Sequence, residues 1–294
     1  MSAPDPTAEG FAARCHVCGA TDPFVPQDGN LREARCPACG ASRRGSDVAG
    51  IIVNLVAWEG AAGAAAVPGR ETEALRDLLP AMQALHVFEA QAEGPIHALL
   101  ARSPGYVCSE YFPNVPRGET YRGVRCEDLM ALTFPSNLFD LVITQDVLEH
   151  VADPDAAFRE IGRVLRPGGH HVFTVPVHPT RPSQSRAQLS AAGTVEHLLP
   201  PVLHGDPVHS GGALVFTDFG VDLPDRLQRI GFATTVHTSR AWYAPEEVTW
   251  IGDDAAHARH LRSVAEQGLL PSFHYNSVVF VARCLKLPQS EEHL

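Results

Sequence analysis

The sequence lacks segments that would direct or anchor the chain in a membrane. No apolar run in its 294 residues approaches the ~20 residues of a membrane-spanning helix. The first ten residues, MSAPDPTAEG, have neither the basic nor the apolar block of a signal peptide. We therefore expect a cytoplasmic protein without a membrane partner.

Positive charge is also scarce. The chain has one lysine, Lys286, and its 23 lysine and arginine residues are outnumbered by 34 acidic residues, which gives a formal net charge of −11. Such a surface repels nucleic acid and anionic lipid, so nucleic acid is not an expected partner. One local basic cluster lies within residues 1–48, where acidic residues roughly cancel it; it consists of Arg32, Arg35, Arg43 and Arg44.

Four of the seven cysteines form two CxxC pairs separated by 17 residues: CHVC at Cys15 and Cys18, and CPAC at Cys36 and Cys39. This spacing is typical of two knuckles that close on one tetrahedral metal ion. A glycine follows each pair and can adopt the positive φ of a tight knuckle. Disulfides are disfavoured without an export signal, and a redox CxxC would follow a strand and open a helix. We predict one structural zinc ion.

Composition shifts divide the chain into three parts. We predict a zinc-ribbon-like module over 1–48, then a connecting helix and hinge over 49–69, the helix capped by Ser46 or Asp47. From residue 70 to 294, apolar strands alternate with helical patterns, which predicts an α/β domain with a mostly parallel, doubly wound sheet. The strands are expected at 85–89, 106–110, 121–126, 139–144 and 170–175.

The stretch FDLVITQDVLEHVADPDAAFREIGRVLRPGGHHVFTVPV predicts one strand–helix–strand crossover. Asp153 can cap the helix, Pro154 suits its first turn, and RPGG should end it. The buried stripe of this helix is expected to be Ala157, Phe158, Ile161, Val164 and Leu165. Ligands of such sheets bind beyond the carboxyl ends of the strands, which here carry Glu89, Glu110, Asp128 and Thr144–Asp146.

The same stretch, with its LRPGG motif, resembles the central block of class I S-adenosylmethionine-dependent methyltransferases, in particular the type 11 subgroup. The resemblance covers roughly residues 70 to 240. It implies a Rossmann-like sheet of seven strands and S-adenosylmethionine as the cofactor. Carried over from the family, the cofactor-binding residues are the first acid, Glu89, the ribose-binding acid, Glu110, and the adenine-binding pair, Asp128 and Leu129. Gln145 is a further expected cofactor-binding residue because of its position at the carboxyl end of the fourth strand.

The loop after the first strand departs from the pattern of this family. The family has an acid followed by Gly-x-Gly-x-Gly, whereas this chain has EAQAEG, with Ala90 and Ala92 in place of two glycines and Glu93 before Gly94. Alanine costs little where φ is negative, although it narrows the space for a ligand. We expect a reshaped but working cradle in which Ala90 and Gly94 contact the cofactor. A degenerate loop, and a solvated or an inward-pointing Glu93, remain the alternatives.

An insertion around residues 178–220 follows the fifth strand and is the expected acceptor-binding part, because such loops lie over the sheet end. It contributes a group of polar side chains: His178, His197, His204, Asp206 and His209. We predict His204, in HGDP, as a general base and His178 as a second catalytic residue. Water-solvated loop histidines are the alternative, and the spacing is weak for a second metal site. His150 is expected to pack beside the cofactor or to make a structural hydrogen bond, rather than to be catalytic.

These features predict an enzyme that transfers a methyl group from S-adenosylmethionine to a small-molecule acceptor, such as a sugar or natural-product hydroxyl or amine. A degenerate fold that binds a ligand or partner is the second hypothesis. A zinc module that recognises nucleic acid or protein is the third. The sequence specifies the donor better than the acceptor, and it does not specify the oligomeric state.

Overall fold

The computed structural model describes residues 14–27, 30–63, 74–178, 181–205, 211–238 and 278–286. The N-terminal part contains strands β1 (Val25–Gln27) and β2 (Asn30–Arg35) and helix α1 (Arg43–Gly63). The helices that follow are α2 (Leu79–Met82), α3 (Pro95–Leu100), α4 (Pro154–Val164) and α5 (Leu223–Ile230). Two short 3-10 helices cover Leu75–Leu78 and Leu148–His150.

Within the described ranges, the main sheet contains eight strands. They are β3 (Val87–Glu89), β4 (Tyr106–Glu110), β5 (Thr120–Tyr121), β6 (Val124–Cys126), β7 (Phe139–Gln145), β8 (Leu165–Thr174), β15 (Phe232–Thr238) and β16 (Val278–Cys284). Their order is β15-β16-β8-β7-β3-β4-β6-β5. The five strands from β8 to β6 are parallel, and β16, β15 and β5 add antiparallel edges. The mostly parallel α/β sheet is therefore confirmed.

The strand count exceeds the expected seven because residues 121–126 do not form one strand. Thr120–Tyr121 and Val124–Cys126 pair as an antiparallel hairpin instead. Arg122 and Gly123, between them, have φ values of +52° and +84°. Two consecutive positive φ values are the mark of a two-residue type I′ turn, which reverses the chain and adds the short edge strand β5.

Hydrophobic layers cover both faces of the sheet, as a doubly wound fold requires. On one face, Val87, Leu141 and Ile143 join a buried cluster that includes side chains of α1, α2 and α3. On the other face, Phe88 and Val142 join a cluster that includes α4 and α5. Successive strand residues thus enter opposite cores, which explains why these strands are apolar throughout.

The crossover helix α4 forms as the sequence predicts. The Asp153 side chain accepts a hydrogen bond from the backbone N–H of Ala156 at 3.0 Å, and Pro154 is the first helical residue. Of the expected stripe, Ala157, Phe158, Ile161 and Val164 are buried on the helix, while Leu165 already begins β8. RPGG therefore lies inside β8, where a register shift against β7 accommodates it.

Helix α1 starts earlier than predicted, and its cap differs. It begins at Arg43, and the Ser42 hydroxyl accepts a hydrogen bond from the N–H of Gly45 at 3.0 Å. The hydroxyl of Ser46, a predicted cap, instead accepts the N–H of His16 at 2.9 Å. The helix extends to Gly63, so the predicted hinge is partly helical; residues 64–70 lie outside the described part.

The insertion folds into short antiparallel pairs. Its strands are β9 (Gln184–Ser185), β10 (Ala187–Leu189), β11 (Val195–His197), β12 (Leu203–His204), β13 (Ala213–Leu214) and β14 (Thr217–Asp218). β10 pairs with β11, β12 with β13, and β14 with β9. Across the described ranges, no helix combines the length and apolar character that crossing a bilayer needs.

Candidate active site and cysteine cluster

The predicted cofactor-binding residues lie at the carboxyl ends of four neighbouring strands. Glu89 ends β3, Glu110 ends β4, Asp128 and Leu129 follow β6, and Gln145 ends β7. Because these strands are adjacent in the order β7-β3-β4-β6, their ends share one edge of the sheet. This is the edge at which open α/β sheets bind ligands.

Glu89 is fully buried beneath this edge of the sheet. Its carboxylate oxygens accept hydrogen bonds from the Tyr106 hydroxyl at 2.7 Å and from Gln145 Nε2 at 3.3 Å. Burial raises the pKa of Glu89 to about 8, although the two hydrogen bonds oppose this effect and the nearby Glu110 adds to it. Glu89 therefore contacts Gln145 directly and has no surface of its own at the edge.

The atypical loop is formed without strain at its two alanines. Neither Ala90 nor Ala92 has a positive φ, whereas Gly94 has a φ of +93° and a ψ of 170°. That conformation is essentially restricted to glycine. A Cβ at Gly94 would also approach Gln91 Nε2 to 3.1 Å. The loop thus keeps the one glycine that its backbone requires.

Each alanine of the loop has a defined partner. The Ala90 methyl belongs to the same buried cluster as Leu129, and its N–H donates to the carbonyl of Ile143 at 3.0 Å. The N–H of Ala92 donates to Glu110 Oε1 at 2.8 Å, which ties the loop to the end of β4. Glu93 is exposed, in agreement with the alternative of a solvated side chain.

The expected adenine-binding pair is also ordered. Asp128 Oδ1 accepts a hydrogen bond from the N–H of Met130 at 2.9 Å, which fixes the turn after β6. Leu129 is 7% exposed and belongs to the same buried cluster as Ala90. The turn therefore presents a carboxylate next to an apolar side chain, the combination that the family resemblance implies for adenine.

The four N-terminal cysteines converge as predicted. Their sulfurs lie within 4.8 Å of one another, with 3.7 Å between Cys15 and Cys39 and 3.8 Å between Cys18 and Cys36. All four are free thiols. A tetrahedral zinc ion with Zn–S bonds of ~2.3 Å separates its sulfurs by about 3.8 Å, so these positions fit a zinc ion.

The two knuckles have the same backbone geometry. In each, the glycine after the second cysteine has a positive φ, +80° at Gly19 and +75° at Gly40. The N–H of each glycine donates to the carbonyl of the first cysteine of its pair, at 2.7 and 2.8 Å. This repetition is the geometry that the CxxC spacing predicts.

An ion-pair network connects the N-terminal module to the sheet edge. Arg32 Nη2 donates to Asp146 Oδ1 at 2.7 Å, and Arg44 Nε lies 3.3 Å from Asp146 Oδ2. Glu33 pairs with both arginines: its Oε1 lies 3.1 Å from Arg32 Nη1 and 2.9 Å from Arg44 Nε. Burial opposes the ionised form of Asp146, but the charges of Arg32 and Arg44 outweigh it and lower its pKa.

Asp146 itself has a left-handed backbone, with a φ of +53°. The Thr174 hydroxyl donates to its carboxylate at 2.9 Å, and its N–H donates to the Thr174 carbonyl at 2.9 Å. Such a conformation at a non-glycine residue is uncommon and persists where the surroundings fix it. The network therefore holds the turn that directs the chain from β7 towards His150.

The insertion brings His204 to this same turn. His204 Nδ1 lies 3.8 Å from Glu149 Oε1, and His150 Nε2 lies 3.7 Å from the same oxygen. The two imidazole rings meet edge to face, with 5.1 Å between centroids. His150 Nδ1 is 2.9 Å from the carbonyl of Leu214, and the N–H of Phe216 donates to the Glu149 carbonyl. His150 is thus a hydrogen-bonding residue, as expected, although its partner is the insertion.

The second predicted catalytic residue, His178, has a different environment. Arg181 Nε donates to His178 Nε2 at 2.6 Å, and burial together with this cation lowers the pKa of His178. The lone pair that a general base needs is therefore already engaged. Asp206 and His209 lie outside the described residues.

Three residues of this region were not anticipated from the sequence: Glu149, Arg32 and Arg44. The sequence signal for Glu149 is an acid beside a histidine, four residues after the carboxyl end of a buried strand. For the arginines the sequence shows only a basic cluster. Arg32 and Arg43 are 3% and 2% exposed, and Arg44 is paired, so most of this cluster does not form a phosphate-binding surface.

Part of the sequence that forms this edge of the sheet matches a known protein family. Residues 107–173 match the family described as "Methyltransferase domain". A ubiquinone/menaquinone biosynthesis C-methyltransferase of Hahella chejuensis is 47% identical over 57 residues, which cover 19% of this chain and 23% of the relative. A ubiquinone biosynthesis O-methyltransferase of Caulobacter vibrioides is 34% identical over 84 residues, covering 29% and 32% respectively.

The chain therefore spans less than a third of the length of either relative. Among solved structures, an S-adenosylmethionine-dependent methyltransferase from Mesorhizobium loti aligns with 69% of this chain and 96% of its own, at 21% identity and a TM-score of 0.39. The matched residues 107–173 run from β4 through β8 and include Glu110, Asp128 and Gln145. Over this stretch the chain resembles a methyltransferase domain, which confirms the resemblance inferred from its motifs.

Proposed function

We propose that the protein transfers a methyl group from S-adenosylmethionine to a small-molecule acceptor. The observation that carries this proposal is the shared sheet edge, where Glu110, Asp128, Leu129 and Gln145 follow adjacent parallel strands within or beside the matched stretch. Bound there, the cofactor supplies an electrophilic methyl group. The protein mainly has to hold the acceptor in line with it, because proximity supplies much of the rate.

The roles of the donor-site residues follow from their positions. Glu110 accepts the ribose hydroxyls, while Asp128 and Leu129 contact adenine. Ala90 and Gly94 line the methionine side of the cradle, and Glu89 acts through Gln145, because it is buried beneath the edge. The unstrained alanines and the retained Gly94 support a working cradle over a degenerate one.

We further propose that Cys15, Cys18, Cys36 and Cys39 bind one structural zinc ion. The support is the set of sulfur separations, which match the edges of a zinc–thiolate tetrahedron. The bound ion would fix both knuckles, and through them the strand that carries Arg32. Its role is thus to hold the N-terminal module in a shape that reaches Asp146.

The acceptor site lies on the side of the insertion 178–220. A sugar or natural-product hydroxyl or amine is our first candidate class, with His204 as its general base. The names of the two relatives favour a second class, the intermediates of ubiquinone and menaquinone synthesis. Partial exposure of His150 and His204 leaves this cluster accessible to either acceptor. A cytoplasmic location stays a prediction.

Isothermal titration with S-adenosylmethionine tests the proposal. The parent should bind, and Glu110→Ala should weaken binding by ~1.5–3 kcal/mol, the range for hydrogen bonds to charged groups. Glu110→Gln keeps an oxygen for the Ala92 N–H, so it separates ribose binding from the loop contact. The matched control is Glu119→Ala, an exposed acid before β5 that should leave affinity unchanged.

The same titration weighs the two other hypotheses. A parent that fails to bind S-adenosylmethionine would reject methyl transfer and leave a degenerate domain that binds another ligand or partner. The zinc module as a nucleic-acid reader is disfavoured by the inward-facing Arg32 and Arg43. Salt-dependent binding to nucleic acid would nonetheless support that third hypothesis.

A further inference from the structure

The turn after β7 contains a buried carboxylate, that of Glu149. Glu149 is 1% exposed, and within the described part of the chain neither of its side-chain oxygens has a hydrogen-bond partner. Burying an ionised carboxylate is costly unless a charge or hydrogen bonds compensate it. Arg44 is close enough to interact electrostatically with Glu149, but it donates its hydrogen bond to Glu33. Among the described residues, this carboxylate therefore lacks the hydrogen-bonded compensation that a bound cation would supply.

Two imidazole nitrogens lie near this carboxylate. His150 Nε2 and His204 Nδ1 lie 3.7 and 3.8 Å from Glu149 Oε1, and one ligand atom of each residue falls within 4.8 Å of the others. Both distances exceed the 2.7–3.2 Å of an N–H···O hydrogen bond. An ion with ligand bonds of ~2.0–2.2 Å fits between these atoms after a small contraction.

The hydrogen bond that His150 makes through Nδ1 determines the protonation state of Nε2, the nitrogen that faces Glu149. The carbonyl of Leu214 can only accept, so Nδ1 of His150 must carry a proton to donate to it at 2.9 Å. In the neutral ring, Nε2 then points an unshared electron pair at a carboxylate, which is unfavourable unless a cation lies between them. Metal-binding histidines typically donate their other N–H to a carbonyl or carboxylate in this way.

We propose that Glu149, His150 and His204 bind a first-row divalent transition metal ion, a second site separate from the cysteine cluster. Two imidazoles and one carboxylate suit Zn²⁺, Fe²⁺ or Co²⁺ better than Mg²⁺ or Ca²⁺, which prefer oxygen ligands alone. Three protein ligands leave positions open, and both histidines are partly exposed, with side chains 18% and 35% accessible. The ion would therefore remain accessible to a ligand from solution.

The acceptor class follows if the proposed methyl transfer is correct. A bound divalent ion lowers the pKa of a hydroxyl that coordinates it. The site thus favours acceptors that present a hydroxyl over those that present an amine. The coordinated hydroxyl would lose its proton to solvent water, so His204, as a ligand of the ion, would not act as the base. This choice of acceptor rests on the proposed function, whereas the metal site does not.

Titration of the full-length protein with Co²⁺ tests the site, after the protein has been stripped of metal and given one equivalent of zinc, which the four thiolates take up first. Visible absorption and calorimetry follow the titration. We expect one Co²⁺ per chain with a nitrogen–oxygen ligand spectrum, lacking the thiolate charge-transfer bands that binding at the cysteine cluster would produce. Loss of a group that only hydrogen-bonds to a metal ligand weakens metal binding roughly 10–100-fold. Glu149→Gln and His204→Gln each remove a ligand itself, so each should weaken Co²⁺ binding by at least that factor. The matched control is His197→Gln, an exposed histidine of the same insertion.

Failure of the site and failure of the proposed function give different results. Absence of Co²⁺ binding in the parent, or equal Co²⁺ affinity in the His204→Gln and His197→Gln proteins, would overturn the metal site in favour of a protonated histidine paired with Glu149. The same preparations are titrated with S-adenosylmethionine. Retained Co²⁺ binding without cofactor binding would leave the metal site standing and reject methyl transfer.

Discussion

Replacement of Arg32 by methionine probes the contact between the N-terminal module and the sheet edge. Arg32 is 3% exposed and makes a 2.7 Å ion pair with Asp146, which Thr174 and Arg44 also contact. Methionine keeps most of the apolar stem of the side chain, so packing changes little while the charge is lost. The substitution therefore isolates the electrostatic part of the contact.

The expected cost is about 3 kcal/mol in the free energy of unfolding. Removing one partner of a buried pair typically costs ~3–5 kcal/mol, because the remaining charge stays buried without compensation. Here Arg44 remains 3.3 Å from Asp146, which places the value near the lower end. The matched control is Arg35→Met on the same strand: Arg35 is 48% exposed and lies 3.7 Å from Glu33, so its loss should cost ~0.2–1 kcal/mol.

Urea unfolding at several pH values measures both variants. The pKa of Asp146 is lowered in the folded protein, so its stabilising contribution is complete above the unfolded value of ~3.9 and is lost as pH falls towards the folded value. The difference in unfolding free energy between the parent and Arg32→Met should thus be constant near neutral pH and should shrink below about pH 4. If Arg32→Met lowers the unfolding free energy no more than Arg35→Met does, the buried-pair argument is refuted.

Two further substitutions test the zinc site and the buried acid. Cys36→Ser should remove the zinc ion of the cysteine cluster, seen as one fewer zinc ion per chain in metal analysis. It should lower the stability of the α/β domain as well, because Cys15 and Val17 pack in the same cluster as Val87; an unchanged unfolding midpoint would show independent domains. Glu89→Gln should remove a pH dependence. The folded parent holds this proton up to a pKa of about 8, so the parent alone should lose stability as pH rises from the unfolded value of ~4.3 through 8, and parallel pH profiles would contradict this.

Local pattern predicted most of the fold because it determines which residues are buried. The strand at Tyr106–Glu110 and the helix at Pro154–Val164 carry strong apolar and capping signals. The sheet edge followed from them, since parallel strands place their carboxyl ends together. The CxxC spacing likewise predicted the cysteine cluster, because the two short knuckles are determined by local backbone geometry.

The remaining features depend on contacts between distant segments. Arg32 and Asp146 are 114 residues apart, and nothing local to either one indicates the other. The position of His204 depends on how the β12–β13 hairpin docks on Glu149 and His150. The sequence therefore suggested a role for His204 but not its neighbours, and it divided the N-terminal module from a sheet with which it shares a core.

The loop after β3 shows why a count of glycines is a weak test of a cofactor cradle. Only Gly94 adopts a backbone that other residues rarely reach, so Gly94→Ala should cost ~1–3 kcal/mol in stability or loop order and weaken S-adenosylmethionine binding. Gly211→Ala is the matched control, because its φ is not positive and no atom of the described residues lies within 4 Å of an added Cβ. Calorimetric titration and thermal unfolding of both variants measure the difference. Equal behaviour would mean that Gly94 is as replaceable as the family glycines at positions 90 and 92, and that the loop does not shape the cofactor site.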